Sequence, residues 1–397
     1  MDIDERIAQF DSPVDRTGIF SMKWDVADGE LPMWVADMDF RTAPAISEAL
    51  AERVGNGTFG GCSREWTEAV ADWSLRQYGV TVDSEHVVFT TGVIPAISSL
   101  VRSLTNVAEK VVLQPPVYNI FTNSLVNNVR RVLNNPLRYE HGVCSMDFED
   151  LGRKLADPLT RLMILRNPQN PSGNVWSDSD LARVGELCAK HHVTVVPDEV
   201  HGDIVRPGVT HMPFAAVNEL NRSICVTCSS PSKAFNVAGL QSAYFICDDD
   251  GLRARAVRGV NTDEVAGPND FAVFSTIAAY ADGGAWLDDL CRVLQRNKDY
   301  VSTQLDEHAH DMLHMVASDS TYLAWIDCSG LLDRVGDANA ERFCGFLRSH
   351  TGLVLSYGGI YGENGSRFVR MNLGTRADLV IGGTARLLAG AAAYMGN

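Results

Sequence analysis

Nowhere in the 397 residues do eighteen apolar positions run together without a charge, and the acidic start Met1-Asp2-Ile3-Asp4-Glu5 is followed by no apolar segment. The expectation is a cytoplasmic protein with no membrane partner. Positive charge is scarce: 34 Lys and Arg stand against 50 Asp and Glu, a formal net charge of -16. Such a surface repels nucleic-acid phosphates and anionic lipid, so a small-molecule substrate is expected and a nucleic-acid partner is not. The nine cysteines are odd in number and irregularly spaced, unlike the disulfide framework of a secreted domain. Internal repeats, linkers and low-complexity tracts are lacking; the Ala-rich stretch 385–393 reads as a terminal helix. No G-x-G-x-x-G follows a strand, which leaves a dinucleotide-binding fold without support.

What is present is an α/β rhythm. Short β-branched runs at 86–90, 110–113, 161–165, 193–196, 224–227 and 243–247 each end in a polar or Gly/Pro-rich stretch. Helices punctuate them: Thr42 and Pro44 open one that Gly55 closes, a second runs from Arg64 to Tyr78 before Gly79, and Ser177 caps a third that reaches His191. Strands alternating with helices imply right-handed crossovers and a mostly parallel sheet. Two long helices follow, 269–282 and 285–308, after which short strands and helices read as a smaller α+β unit. The length suits two unequal domains. The expected division is an N-terminal arm and start of the small domain at 1–40, a large domain at 41–284 and a small domain at 285–397. The arm, with little periodicity, is expected to run over the surface or a neighbouring subunit.

In such a sheet ligands sit beyond the carboxyl ends of the strands, and the residues there are unusually polar. Lys233, in Ser229-Ser230-Pro231-Ser232-Lys233, follows a predicted strand. Alone it reads as a solvated loop lysine, but partial burial would give it the neutral amine that a Schiff base requires. Asp198 follows the apolar run 193–196; such a residue commonly caps a helix, yet it is also placed to hold a pyridine nitrogen protonated, with His201 within reach of a ring oxygen. Gly92, Val93 and Ile94 lie where a strand passes into an apolar helix, and free backbone N–H groups there bind phosphate. In Asn167-Pro168-Gln169-Asn170-Pro171 the prolines stiffen a loop and present the Asn170 amide. Tyr118 is either a core aromatic or a ring that stacks on a planar ligand. Arg367 and Arg370 lie three apart in an alternating run, on opposite faces, so at most one serves as a carboxylate fork.

Each signal alone is weak, but their order along the chain is not. With Ser21-Met22-Lys23-Trp24-Asp25, the stretch Pro32-Met33-Trp34-Val35-Ala36-Asp37-Met38-Asp39-Phe40, Asp198-Glu199-Val200-His201 and Ser230-Pro231-Ser232-Lys233-Ala234-Phe235-Asn236, the chain resembles the fold-type I pyridoxal-phosphate enzymes. It is most similar to the MalY/PatB group, the cystalysin-like cystathionine β-lyases and cysteine-S-conjugate β-lyases. The resemblance covers nearly the whole chain. It implies an aspartate-aminotransferase-like α/β fold and pyridoxal 5′-phosphate as cofactor. Lys233 would be the Schiff-base lysine, Asp198 would pair the ring nitrogen, Asn170 would contact the 3-oxygen, and Tyr118 would stack on the ring. Val93, Ile94, Ser230 and Ser232 would hold the phosphate. Arg370 would take the substrate carboxylate, near Trp34, Val35 and Ala36. It also implies a homodimer with active sites between subunits.

There are departures. The segment 58–63 offers no tyrosine where many relatives have one near Gly60 or Gly61, Asn174 stands where an arginine is usual, and Gln241 stands where aminotransferases place a phosphate-binding arginine. The last favours a carbon–sulfur lyase, which eliminates a thiol from a cysteine S-conjugate to leave pyruvate and ammonia. An aminotransferase and a non-catalytic regulator on the same fold are the alternatives.

Three further patterns carry less. Cys225 and Cys228 have C-x-x-C spacing but lie on or beside one predicted strand, without a second pair, so no metal site is expected. His191-His192 closes a helix. Gly358, Gly359, Gly362 and Gly365 read as a flexible loop before the Arg370 strand.

Overall fold

The predicted β-branched runs assemble into one seven-stranded sheet in the computed structural model of the protein, which describes residues 3–16, 18–61 and 64–396. In spatial order its strands are Val87–Thr90, Ala243–Ile246, Thr227–Ser229, Thr194–Asp198, Thr160–Arg166, Lys110–Leu113 and Arg131–Asn134. Ala243–Ile246 runs antiparallel to both neighbours, and the remaining pairs are parallel. Parallel central strands are covered on both faces, which is why Val111, Leu162, Val195 and Val196 are wholly buried.

Two strands differ from expectation. Of the run at 224–227, Cys225 pairs with Val195 through an isolated bridge and Thr227 opens the strand itself, Thr227–Ser229. The short helix Glu219–Ser223, capped by Asn218, leaves Ile224 with a non-extended ψ of 6° and delays entry to the sheet. The edge strand Arg131–Asn134 has no fully buried residue, so it carries no apolar signature.

Helix boundaries follow local chemistry. Pro44–Asn56 runs slightly past the predicted stop and closes on left-handed Gly57, and Glu65–Tyr78 closes on left-handed Gly79. Ser177 Oγ accepts the Asp180 N–H at 3.1 Å and opens Asp178–Lys190. The long helices are Asp270–Asp282 and Gly284–Ala309. No helix among the described residues is long and apolar enough to cross a membrane.

Toward the C-terminus an antiparallel sheet orders His314–Met315, Leu323–Asp327, Phe368–Asn372 and Ser356–Tyr357. Trp325 stacks on Phe368 with ring centroids 5.0 Å apart. The glycine run beside it, expected as a loop, forms the short turns Gly358–Tyr361 and Glu363–Gly365. A Cβ on Gly358 would stand 2.7 Å from Trp325 and closer still to two backbone oxygens.

Much of the N-terminal segment lies on its own chain. Leu31–Pro32 pairs in parallel with Leu353–Val354, and Leu31 and Met33 join a core with Leu347, Val369 and Leu387. Phe10 meets Phe40 and Trp286 at 5.2 and 5.4 Å. Ile19, Phe20 and Met22 remain exposed, Phe20 completely so.

Candidate active site

The carboxyl ends of the parallel strands open onto a cavity of about 220 Å³. Predicted residues from five separate segments line it: Gly92, Val93 and Ile94; Tyr118; Asn170; Asp198 and His201; and Ser230, Ser232 and Lys233. Ala36 lines it as well, reaching in from the N-terminal segment.

Lys233 sits in the turn that follows Thr227–Ser229, and its Nζ donates to Ala36 O at 2.9 Å. Burial, with help from the Arg166 and Arg370 cations, pulls its amine down to about 8, although Asp37 and Asp198 pull the other way. Tyr322 OH also donates to Ala36 O, at 3.0 Å. Arg370 Nη2 donates to Trp34 O at 3.0 Å, and Asn372 Nδ2 to Asp37 O at 2.7 Å. The main chain of 34–37 is therefore strapped across the cavity by side chains from distant strands. Trp34 contributes through its carbonyl, since its indole N–H is turned toward Lys23 O at 3.3 Å.

Asp198 ends a buried strand and is 2% exposed. Burial raises its carboxyl above the ordinary range, opposed by Arg166 and by the Val200 N–H, which donates to Oδ1 at 3.2 Å. His201 is 1% exposed and lies 5.6 Å from the Tyr322 ring; burial and the surrounding cations hold its imidazole well below the usual value, so it is neutral. Asn170 accepts from Arg370 Nη1 at 3.4 Å through Oδ1, which turns its NH₂ away from that arginine. Arg370 is buried with its guanidinium over the Tyr361 ring at 4.6 Å. Arg367, on the opposite face, pairs outward with Asp333 and Ser329. Tyr118 stands edge-on to Phe121 at 5.8 Å, half-buried at the wall.

Helix Val93–Leu104 begins at the cavity with Gly92 at its N-cap, and among the described residues no side chain caps its first N–H groups. Across from it the Ser230 hydroxyl is already engaged: it donates to Ser242 O and accepts from Ser232 N at 2.9 Å. Ser230 thus shapes the turn, and Ser232 is the hydroxyl with fewer ties. Gln241, in a left-handed conformation, lines the same end. Asn174 pins the Asn170 loop by donating to Cys144 O at 2.9 Å. Of the tyrosine-free segment 58–63, Cys62 and Ser63 lie outside the described residues.

Arg166 is the cavity residue that motif reading missed. Its signal was a charge closing the apolar run 162–165. Among the described residues, the buried polar atoms left without a partner include Arg166 Nε, His201 Nδ1 and Arg370 Nε, all at or beside this cavity. Unpaired buried polar groups are costly. A planar, hydrogen-bonding heteroaromatic ring with an anionic tail toward the helix N-terminus fits these donors and this shape.

A lysine, a buried carboxylate and a helix N-terminus lining one cavity at the strand ends of a mostly parallel sheet define a ligand-binding α/β protein. The aminotransferase class I and II family matches residues 36–381. Cystathionine beta-lyase PatB of Bacillus subtilis is 41% identical over 378 residues, which cover 92% of this chain and 95% of PatB. Protein MalY of Escherichia coli is 34% identical over 392 residues, covering 96% and 97% of the two chains. The PLP-bound C-S lyase from Staphylococcus hominis superposes with a TM-score of 0.89 at 29% identity, over 96% of this chain and 97% of that one. The chain belongs to the aminotransferase class I and II family, and within it to the group that contains PatB and MalY.

Proposed function

We propose that this protein is a carbon–sulfur β-lyase that uses pyridoxal 5′-phosphate to eliminate a thiol from an L-cysteine S-conjugate, giving pyruvate and ammonia. The observation that carries the reading is the meeting of Lys233 and Arg370 on the strap 34–37: a base and a carboxylate fork are tied to one short segment. The names of PatB and of the Staphylococcus hominis enzyme support the same chemistry.

In this reading Asp198 faces the ring nitrogen, Tyr118 covers the ring, and Asn170 with His201 meets the 3-oxygen. The amides of Gly92, Val93 and Ile94 hold the phosphate with Ser232, on a turn that Ser230 shapes. Lys233 anchors the cofactor covalently. When bound, the cofactor supplies a sink for the electron pair left at the substrate's Cα. The Arg370 fork holds the α-carboxylate, and Trp34, Val35 and Ala36 close the substrate side. The Lys233 amine, when free, would take the Cα proton as general base and return a proton to the departing sulfur.

The purified enzyme is expected to release thiol and pyruvate from cystathionine or an S-alkylcysteine with no 2-oxo acid added. Amino transfer to a 2-oxo acid without any thiol release would overturn the assignment. A protein that shows no cofactor chromophore would point to a non-catalytic role.

The Lys233 amine also sets a pH dependence. Its protonated form cannot attack a carbonyl, and the neutral fraction grows tenfold per pH unit up to about 8. Cofactor-free protein is therefore expected to capture pyridoxal phosphate at a rate that climbs to about pH 8 and levels off above it, followed by absorbance. A flat rate across that range would count against Lys233 as the anchor.

The proposed assembly is a homodimer, supported by the exposed apolar tip Ile19, Phe20 and Met22. A cytoplasmic location is supported by the free thiols of the eight described cysteines. The proposed division into 1–40, 41–284 and 285–397 is supported by the two sheets and by the pairing of 31–32 with 353–354.

A further inference from the structure

Arg166 is the last residue of Thr160–Arg166, and the parallel register sets it beside Asp198, the last of Thr194–Asp198. Side chains in register on neighbouring strands rise from the same face. A guanidinium and a carboxylate therefore project together into the cavity. Arg166 Nη1 donates to Asp198 Oδ1 and approaches Asp198 O at 3.3 Å, and each side chain is 3% exposed. Trp176 Nε1 donates to the Arg166 carbonyl at 2.9 Å and steadies that end of the strand. Arg166 Nε stays buried without a partner among the described residues.

Three physical consequences follow from that placement. A guanidinium is a permanent cation, so it keeps the buried Asp198 carboxylate compensated whether or not a ligand is bound. Among the described residues, the Arg166 and Val200 donors both converge on Oδ1, so the carboxylate turns its other edge to a further donor. A fixed positive charge beside the carboxylate also opposes a second positive charge on the atom that this edge meets.

We infer that Arg166 is a positioning residue that shares the Asp198 carboxylate with the cofactor's ring nitrogen and lowers the proton affinity of that nitrogen. The inference rests on the reading above in which Asp198 faces the ring. Its chemical consequence is a weakened electron sink. Such a sink suffices where a thiolate leaves directly from Cβ, and it disfavours amino transfer, which requires the electron pair to persist until a proton arrives elsewhere. Arg166 thus biases the site toward elimination.

The test compares the holoenzyme with its Arg166→Met and Asp198→Asn variants, each loaded with cofactor isotopically labelled at the ring nitrogen. The nitrogen NMR resonance is followed against pH. In R166M it is expected to move toward the protonated limit, with the protonated-to-unprotonated ratio raised about tenfold, one unit of nitrogen pKa. In D198N it moves the opposite way. Amino transfer to a 2-oxo acid, measured against thiol release, rises several-fold in R166M. An unmoved resonance or an unmoved ratio in R166M overturns the inference while D198N still shifts. If D198N leaves the resonance in place, the assignment of Asp198 to the ring nitrogen fails instead. Should R166M not fold, Arg166→Gln keeps a hydrogen-bond donor but removes the charge. A resonance displaced toward the protonated limit in R166Q supports the inference, and an unmoved one overturns it.

Discussion

Alanine at position 233 is expected to yield a folded protein that forms no borohydride-sensitive bond to the cofactor and releases pyruvate from an S-alkylcysteine at least about 1000-fold more slowly. General-base catalysis alone is commonly worth 10²- to 10⁴-fold, and the covalent anchor is lost with it. The fold should survive. Among the described residues the Lys233 amine makes one hydrogen bond, to Ala36 O, and such a bond contributes only about 1 kcal/mol net. Its removal also relieves the burial that depresses the amine's pKa. Pyruvate release, cofactor absorbance and thermal unfolding measured on one preparation separate these effects. A variant that keeps more than about a tenth of the wild-type rate would remove Lys233 from the chemistry, given the size of ordinary base catalysis.

The second large effect is expected at Arg370. Its guanidinium is buried, braced by Trp34 O, Asn170 Oδ1 and the Tyr361 ring, and keeps Nε unpaired among the described residues. Truncating one partner of a desolvated charge pair costs about 2–5 kcal/mol, so Arg370→Met is expected to lower kcat/KM by about 30-fold to several thousand-fold. Arg370→Lys should recover only part of this, because an ammonium cannot form the planar fork. The loss must depend on the substrate carboxylate. An esterified analogue, already poor with wild-type enzyme, should respond little to the substitution. Equal losses for the acid and the ester would mean that Arg370 supports the strap 34–37 and not the substrate.

Much of the cavity was legible because residue types that are weak signals singly occur in one telling order along the chain. A lysine, an aspartate, an asparagine between prolines and a glycine before an apolar helix each stand just past a β-branched run, where the end of a parallel strand places them around one space. Arg370 was separable from Arg367 by strand alternation alone, and the structure turns them as that period requires. Other features depended on neighbours that no local pattern reveals. Nothing near Ser230 announces that its hydroxyl bonds Ser242, twelve residues on. The glycines at 358–365 have the composition of a loose loop, but Trp325 beside Gly358 and Gly365, and Pro115 beside Gly362, leave no room for side chains. The edge strand Arg131–Asn134 has no fully buried residue, so nothing in its surroundings demanded an apolar run.

The sequence by itself determined the chemistry: which side chains stand at strand ends, the α/β alternation that makes those ends converge, and the acidity and small-molecule character of the whole. Strand periods and helix caps are local interactions, written in consecutive residues. Only the tertiary structure decided that Arg166 would stand in register with Asp198 and that the strap 34–37 would be held between Lys233 and Arg370. Register and strap depend on contacts between segments 32 to more than 300 residues apart, fixed when the two sheets and the N-terminal segment settle together.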